Sequence, residues 1–314
     1  MVTGKTEQRM KILITGGTGT FGKYFIPRFL EQGHTLIVFS RDEFKQYEMR
    51  KEYPQVIFIV GDVRDYERID DAIKNHKPDL VIHAAALKQI DTCELNPEEA
   101  IKTNVLGAEN VVKACIKNEV WKVLAISTDK AVQPINVMGM TKALQEKIFL
   151  NNQSPSTIFG IVRYGNIIGS RGSVIPYYHS LIQKNQEVLP ITDIAMTRFV
   201  LTLEEAFELV TFAIKNMDRL NNCIFVKECL SLNILDIILV FGKPHRVIGN
   251  RGAEKVDEVL IHEEEMLRTV KKGSYYVITQ DYQNIFSAKS FNSNTAKKLN
   301  VSKIKAILKK EGWL

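Results

Sequence analysis

The stretch Lys11-Ile12-Leu13-Ile14-Thr15-Gly16-Gly17-Thr18-Gly19-Thr20-Phe21-Gly22 constrains this chain more than any other. An apolar, strand-like run ends in Gly16, Gly19 and Gly22, spaced G-x-x-G-x-x-G, and a helical pattern follows. In such a strand, turn and helix the first glycine permits a tight turn and the second lets backbone N–H groups approach a pyrophosphate. The third lets helix and strand pack closely. Thr15, Thr18, Thr20 and Phe21 flank the glycines and share the expectation of a dinucleotide site.

From Lys11 to about Tyr164, short apolar runs alternate with helical patterns. The candidate strands are Ile12–Thr15, Leu36–Phe39, Val56–Val60, Leu80–His83, Val123–Ser127 and Ile158–Arg163, mostly separated by room for a crossover helix. This order predicts an α/β fold with a doubly wound parallel sheet of the Rossmann type. Beyond Gly165 the pattern is mixed. Ser173–Lys184 and Leu203–Lys215 read as helices, and Cys223–Lys227 and Arg246–Ile248 as short strands. The expected organisation is a flexible leader at 1–9, a dinucleotide domain at 10–165 and a smaller C-terminal α/β substrate lobe at 166–314, with chain crossing between lobes left open. A length of 314 residues exceeds the size at which one core stops growing, which fits two lobes.

The net charge of +6 is dispersed along the chain rather than gathered in one run, which argues against nucleic acid as a partner. Only Lys303, Lys305, Lys309 and Lys310 make a locally basic face, of the kind an amphipathic helix presents. The four cysteines, Cys93, Cys115, Cys223 and Cys229, lack CxxC spacing and a nearby histidine, so no metal site is expected and they read as reduced thiols. No segment approaches the roughly 20 consecutive apolar residues that span a bilayer. The expected location is the cytoplasm, without a membrane partner.

At the end of the second strand a NAD site usually offers an acidic residue to the adenosine ribose. This chain reads Phe39-Ser40-Arg41 there, a hydroxyl and a guanidinium suited to a 2′-phosphate, with Lys45 a turn further on. NADP is therefore the expected cofactor and NAD the less favoured one, since Asp42 and Glu43 follow directly. After the third strand, Asp62 could accept from the adenine amino group, with Val63 beside it.

The fourth strand leads into His83-Ala84-Ala85-Ala86-Leu87-Lys88-Gln89 and the fifth into Ser127-Thr128-Asp129-Lys130-Ala131. Then comes Pro134-Ile135-Asn136-Val137-Met138-Gly139-Met140-Thr141-Lys142. With these motifs the chain resembles the UDP-N-acetylglucosamine 4,6-dehydratases, a group of extended short-chain dehydrogenase/reductases, from about Lys11 to Glu258. The resemblance implies a lyase that moves a hydride within the sugar through bound NADP while water is lost from C5 and C6. It adds Ala84, Ala85, Ala86, Lys88 and Asn104 to the cofactor residues. Lys142 is expected on the nicotinamide ribose and Lys88 also near the substrate. The superfamily's active-site Tyr, four residues before the Lys, is replaced by Met138, which has no proton to give. That substitution matches one branch of these dehydratases. The resemblance then puts the chemistry on Thr128 at the 4-OH, Asp129 as acid to the C6 oxygen and Lys130 as C5 base, with burial expected to lower the Lys130 pKa.

The family's substrate segments recur as Arg163-Tyr164-Gly165-Asn166, Ser170-Arg171-Gly172-Ser173-Val174, Thr192-Asp193 and Met196-Thr197-Arg198-Phe199. They imply Asn166 and Arg198 on the pyrophosphate of a UDP-sugar and backbone donors at Ser173 and Val174. Pro190 and Thr192 are implied near uracil, Met138 near the sugar, and Arg251 and Glu254 on pyrophosphate and ribose. Where relatives read Arg-His-Gly-Glu-Lys, this chain has Arg251-Gly252-Ala253-Glu254-Lys255, so any contact through the His-Gly pair is lost. Homo-oligomers are expected from the resemblance. Two other readings stay open: a UDP-hexose 4-epimerase or reductase, and a catalytically silent NADP-binding sensor.

Overall fold

The structure, a computed structural model, describes residues 9–170, 172–249, 252–282 and 288–314. Strands β1 (Lys11–Thr15), β2 (Thr35–Ser40), β3 (Ile57–Val60), β4 (Leu80–His83), β5 (Lys122–Thr128) and β6 (Ile158–Tyr164) pair in parallel in the order β6-β5-β4-β1-β2-β3. The switch between β1 and β4 puts the C-terminal ends of β1 and β4 side by side, where open α/β sheets bind their ligands.

The strands form here because their apolar runs are buried on both faces. Leu13, Ile37, Phe39, Val81, Val123 and Ile161 pack into one core, and Ile12, Ile14, Leu36, Val38, Ile82 and Val162 into the other, alternating along each strand. At the open edge, Ile57 and Val60 of β3 are exposed.

The chain then returns to this sheet. Cys223–Lys227 pairs in parallel with β6, and the hairpin Thr269–Lys272 and Tyr275–Ile278 continues it antiparallel, making nine strands. A boundary at 165 therefore does not divide the sheet. The expected helices lie at Val174–Gln183 and at Leu203–Asn216, the latter started by a capping box between Thr202 and Glu205. A smaller lobe holds the three-stranded sheet Leu230–Asn233, Thr197–Leu201 and Asn166–Ile167, and the pair His245–Val247 with Leu189–Ile191. Its separate core includes Ile175, Leu189, Ile191, Leu232 and Ile237. The basic C-terminal helix, Val301–Lys310, docks there through Ile304 and Leu308.

Candidate active site

One cleft of about 1090 Å³ runs from the glycine turn, past the ends of β2, β3, β4 and β5, into the small lobe. It is large for a single small-ligand pocket, and its lining comes from both halves of the fold.

At its first end Gly16 takes φ +70°, and a Cβ there would meet the Ala85 Cα at 2.7 Å. The following helix, Thr20–Glu31, has no side-chain cap, so its first N–H groups stay available to an anion. Gly16, Thr18, Gly19, Thr20, Phe21, Ala84, Ala85 and Ala86 all line the cleft. Thr15 and Gly22 do not. The Thr15 hydroxyl is buried between His83 Nδ1 (2.9 Å) and the Ala85 N–H (3.3 Å), and Gly22 is buried where a Cβ would overlap the Gly17 carbonyl. Both shape the turn without facing the cleft. His83 itself is a neutral core histidine, its pKa pushed down to about 3 by burial and by the Lys142 charge.

Ser40, Arg41, Lys45, Asp62 and Val63 gather at the ends of β2 and β3. The Ser40 hydroxyl accepts from Gln46 Nε2 at 2.9 Å. Asp42 caps the helix Glu43–Glu52 by accepting from the Lys45 N–H at 3.0 Å, and its other oxygen pairs with Lys45 Nζ. The Asp42 carboxylate is thus engaged locally, and so is the ammonium expected to reach outward. Arg41 stays half exposed, 3.6 Å from Asp62. Burial opposes the Asp62 charge, but hydrogen bonds from Arg64 and the charge of Arg41 hold its pKa below the ordinary value.

Lys88 lines the cleft, whereas Asn104 is fully buried in a π-helical turn, Ile101–Leu106. Its amide bonds both backbone groups of Leu87 (2.8 and 2.9 Å) and the Thr141 hydroxyl (3.0 Å). Asn104 thus braces the loop after β4 and does not line the cleft.

The centre of the cleft is the turn Asp129–Ala131 after β5, against the helix Val137–Asn151. That helix approaches so closely at Gly139 that a Cβ would lie 2.3 Å from the Lys130 carbonyl oxygen. Asn136 caps it by accepting from the Gly139 N–H at 2.7 Å and donates to the Ala253 carbonyl at 2.9 Å. Met138, Lys142, Thr128 and Lys130 face the cleft. Asp129 does not: it is fully buried behind them, with Oδ1 accepting from the Thr128 hydroxyl (2.9 Å) and Lys130 Nζ (3.1 Å) and Oδ2 without a partner.

The two lysines have opposite electrostatics. Burial penalises the Lys130 ammonium, but the charges of Asp129 and Glu258 outweigh it and raise its pKa, the reverse of the expected lowering. Lys142 is brought down to about 7 by burial, which the Glu146 charge only partly offsets. Its Nζ donates to the Ile126 carbonyl (2.5 Å) and Gln145 Oε1 (2.6 Å). Tyr164 also lines the cleft, and burial raises its pKa, so its phenol stays protonated near neutrality.

The small lobe supplies Asn166, Ser173, Val174, Pro190, Thr192, Arg198 and Glu254 to the same cleft. Asn166 Oδ1 accepts from Lys130 Nζ at 3.3 Å. Arg198 is buried, and its Nη atoms already donate to the carbonyls of Thr197 (2.8 Å), Val256 (3.0 Å) and Lys255 (2.9 Å). These bonds fix the segment before Glu258, and a pyrophosphate contact through the same Nη atoms would compete with them. Arg251 lies outside the described residues.

Glu258 was not legible in the sequence. It is 2% exposed, whereas Val256 two positions earlier is 38% exposed, the inverse of their hydropathy. A second unforeseen network joins Arg163 to Glu146 (2.6 Å) and Glu265 (2.8 Å), with the Ser127 hydroxyl donating to Glu146.

The family model described as "Polysaccharide biosynthesis protein" matches residues 12–280. A Campylobacter jejuni protein named UDP-N-acetylglucosamine 4,6-dehydratase (inverting) is 41% identical over 91% of this chain and 87% of its own length. A Rickettsia bellii protein named UDP-glucose 4-epimerase is also 41% identical, over 95% of this chain and 94% of its own. Among solved structures, Pen from Bacillus thuringiensis superposes with a TM-score of 0.88 at 29% identity, covering 98% of this chain and 99% of that one. DesIV, a dTDP-glucose 4,6-dehydratase from Streptomyces venezuelae, shares the fold, with a TM-score of 0.70 at 18% identity over 79% of this chain and 87% of its own. Matched by that family model over most of its length and 41% identical to these relatives, the chain has the extended short-chain dehydrogenase/reductase fold and belongs to the polysaccharide-biosynthesis family of sugar-nucleotide dehydratases and epimerases.

Proposed function

We propose that this protein is an NADP-dependent 4,6-dehydratase acting on UDP-N-acetylglucosamine. The observation that carries the reading is the Thr128-Asp129-Lys130 turn at the junction of the two lobes, opposite a Met138 that cannot exchange protons. An enzyme built this way would move the C5 and C6 protons through the turn rather than through residue 138.

The residues present fit a dinucleotide. The Gly16 cradle, which a Cβ would fill, and the uncapped N-terminus after Gly19 suit a pyrophosphate, and Arg41 with Ser40 suits a 2′-phosphate. When bound, the nicotinamide would take a hydride from the sugar and give it back, so the reaction needs no external reductant. Lys142 would hold a ribose hydroxyl, and at a pKa of about 7 it exchanges a proton readily near neutrality.

Thr128 and Lys130 are the groups of the turn that meet the substrate. Thr128 would contact the C4 hydroxyl and Lys130 would exchange the C5 proton. Asp129 accepts from both and would relay to the departing C6 hydroxyl, through them and not by direct contact, the proton that Lys130 takes from C5. Asn166 would orient the sugar nucleotide beside Lys130, and the helix start at Ser173 and Val174 would face its phosphates. We further propose that the active form is a homo-oligomer in the cytoplasm.

The test is incubation with UDP-N-acetylglucosamine and no added reductant, read by mass spectrometry and NMR. The expected product is lighter by one water, with a C4 ketone and a C6 methyl. The relatives named as epimerases favour a second reading, in which the product keeps the substrate's mass and inverts C4. Consumption of NADPH in step with product would refute both.

A further inference from the structure

The buried carboxylate of Glu258 has no part in the motifs that define the turn, yet it completes the surroundings of Lys130. Lys130 Nζ lies 3.1 Å from Asp129 Oδ1, 3.3 Å from Asn166 Oδ1 and 3.7 Å from Glu258 Oε1. These partners come from three separate parts of the chain.

Glu258 is mounted firmly. Its N–H donates to the Ser293 hydroxyl at 2.9 Å and its carbonyl accepts from the Ser293 N–H at 2.9 Å. The Ser293 and Thr197 hydroxyls are 2.6 Å apart. Its charged neighbours are Lys130 and Asp129 on the turn, Arg198 at 4.0 Å, and Lys255, whose Nζ is 3.7 Å from Oε2 and donates to the Val132 carbonyl. Among the described residues Oε2 has no hydrogen-bond partner, and Glu258 lines the cleft. Its carboxylate thus meets three cations at 3.7–4.0 Å, close enough for its charge to act on each of them.

We propose that Glu258 is a positioning residue for Lys130: carried by the segment that crosses from the small lobe, it steers the lysine Nζ and governs how tightly that nitrogen keeps its proton. The inference rests on the proposed function in assigning Lys130 to proton transfer at C5. The geometry gives Lys130 two carboxylates of different kinds. Asp129 is sealed behind the turn, whereas Glu258 reaches the cleft and belongs to a segment that Arg198 also holds. A ligand that displaced the Arg198 bonds would loosen Glu258, and with it the hold on the Lys130 proton. Substrate binding in the small lobe would thereby ready the lysine as a base. Burial and the Asp129 charge raise the Glu258 pKa against the opposing cations, so it holds a proton more readily than an ordinary glutamate.

The test compares wild type with Glu258→Gln, which keeps shape and removes charge. One readout is independent of turnover: the pH dependence of Lys130 acetylation by acetic anhydride, followed by peptide mass. The midpoint is expected to fall by about one unit or more on loss of a carboxylate at this range. The second readout is the limb of the kcat profile that requires neutral Lys130, expected to move the same way. Glu258→Asp, which retains the charge but withdraws it, should shift both less than Glu258→Gln and serves if the amide variant folds poorly. An unmoved Lys130 midpoint overturns the inference, even with a lowered melting temperature, since that is the mark of a structural role alone. If wild type dehydrates no UDP-hexose, the proposed function fails, while the acetylation curve still decides on Glu258.

Discussion

Lys142 offers the sharpest test of the electrostatics, because its ammonium is buried beside a carbonyl and an amide and the Glu146 charge offsets that burial only in part. Its folded-state pKa is about 7, against 10.5 when unperturbed. Between those values the unfolded chain binds more protons than the folded one at this residue, so its contribution to stability rises with pH. It is complete above the unfolded value and is lost as pH falls through the folded value. Each pH unit inside the window is worth about 1.4 kcal/mol per proton. At pH 7 the folded lysine is half titrated, so the interval to pH 9 yields roughly 2 kcal/mol. Lys142→Met removes this dependence while keeping a similar volume. The lost hydrogen bonds change the offset between the two proteins but not the slope. Urea unfolding of dinucleotide-stripped wild type and variant at pH 7, 8 and 9 should give a stability difference that drifts by roughly 2 kcal/mol in favour of wild type as pH rises. Parallel curves would show that Lys142 is already charged in the fold, and the argument would fall.

Three further outcomes follow from particular contacts. Gly139→Ala forces the helix away from the Lys130 carbonyl, which lies 2.3 Å from the added Cβ. It should cost about 1–3 kcal/mol and most of the turnover while NADP binding survives, as calorimetry would show. Arg41→Ala should weaken NADP by roughly 10–100-fold, the worth of a charge-assisted bond, and leave NAD nearly unchanged; equal losses in titration calorimetry would remove the preference. Asp129→Asn should slow loss of the C6 hydroxyl by ~10²–10⁴, and Lys130→Ala should stop deuterium incorporation at C5 from heavy water; near-normal turnover in both would place the chemistry elsewhere.

What could be read in advance follows how far each signal reaches along the chain. The six parallel strands were legible because each is a short apolar run whose alternate residues enter the two cores on either side of the sheet. The glycine turn was legible because its constraint is local: backbone conformation at Gly16 and close packing at Gly22. A motif fixes the backbone but not the direction of each side chain. Thr15 and Asn104 were expected on the cofactor, yet both are sealed in the scaffold. Asp129 and Lys130 are neighbours in one turn, but only Lys130 reaches the cleft.

The reversed electrostatics of Lys130 show where local reading ends. The sequence places Asp129 beside it, and a desolvated lysine with one neighbouring carboxylate sits near balance between burial and attraction. Asp129 is the larger charge raising the Lys130 pKa and Glu258 the second, and the approach of Glu258 depends on the Ser293 clamp and on the Arg198 bonds to the carbonyls of Lys255 and Val256. Those contacts exist only once the small lobe has folded against the large sheet, and nothing in Lys255-Val256-Asp257-Glu258-Val259 singles out Glu258 as the buried acid. The proton affinity of Lys130 is thus in part a property of the lobe junction. A change in how the lobes meet alters the chemistry of the turn without altering a residue in it.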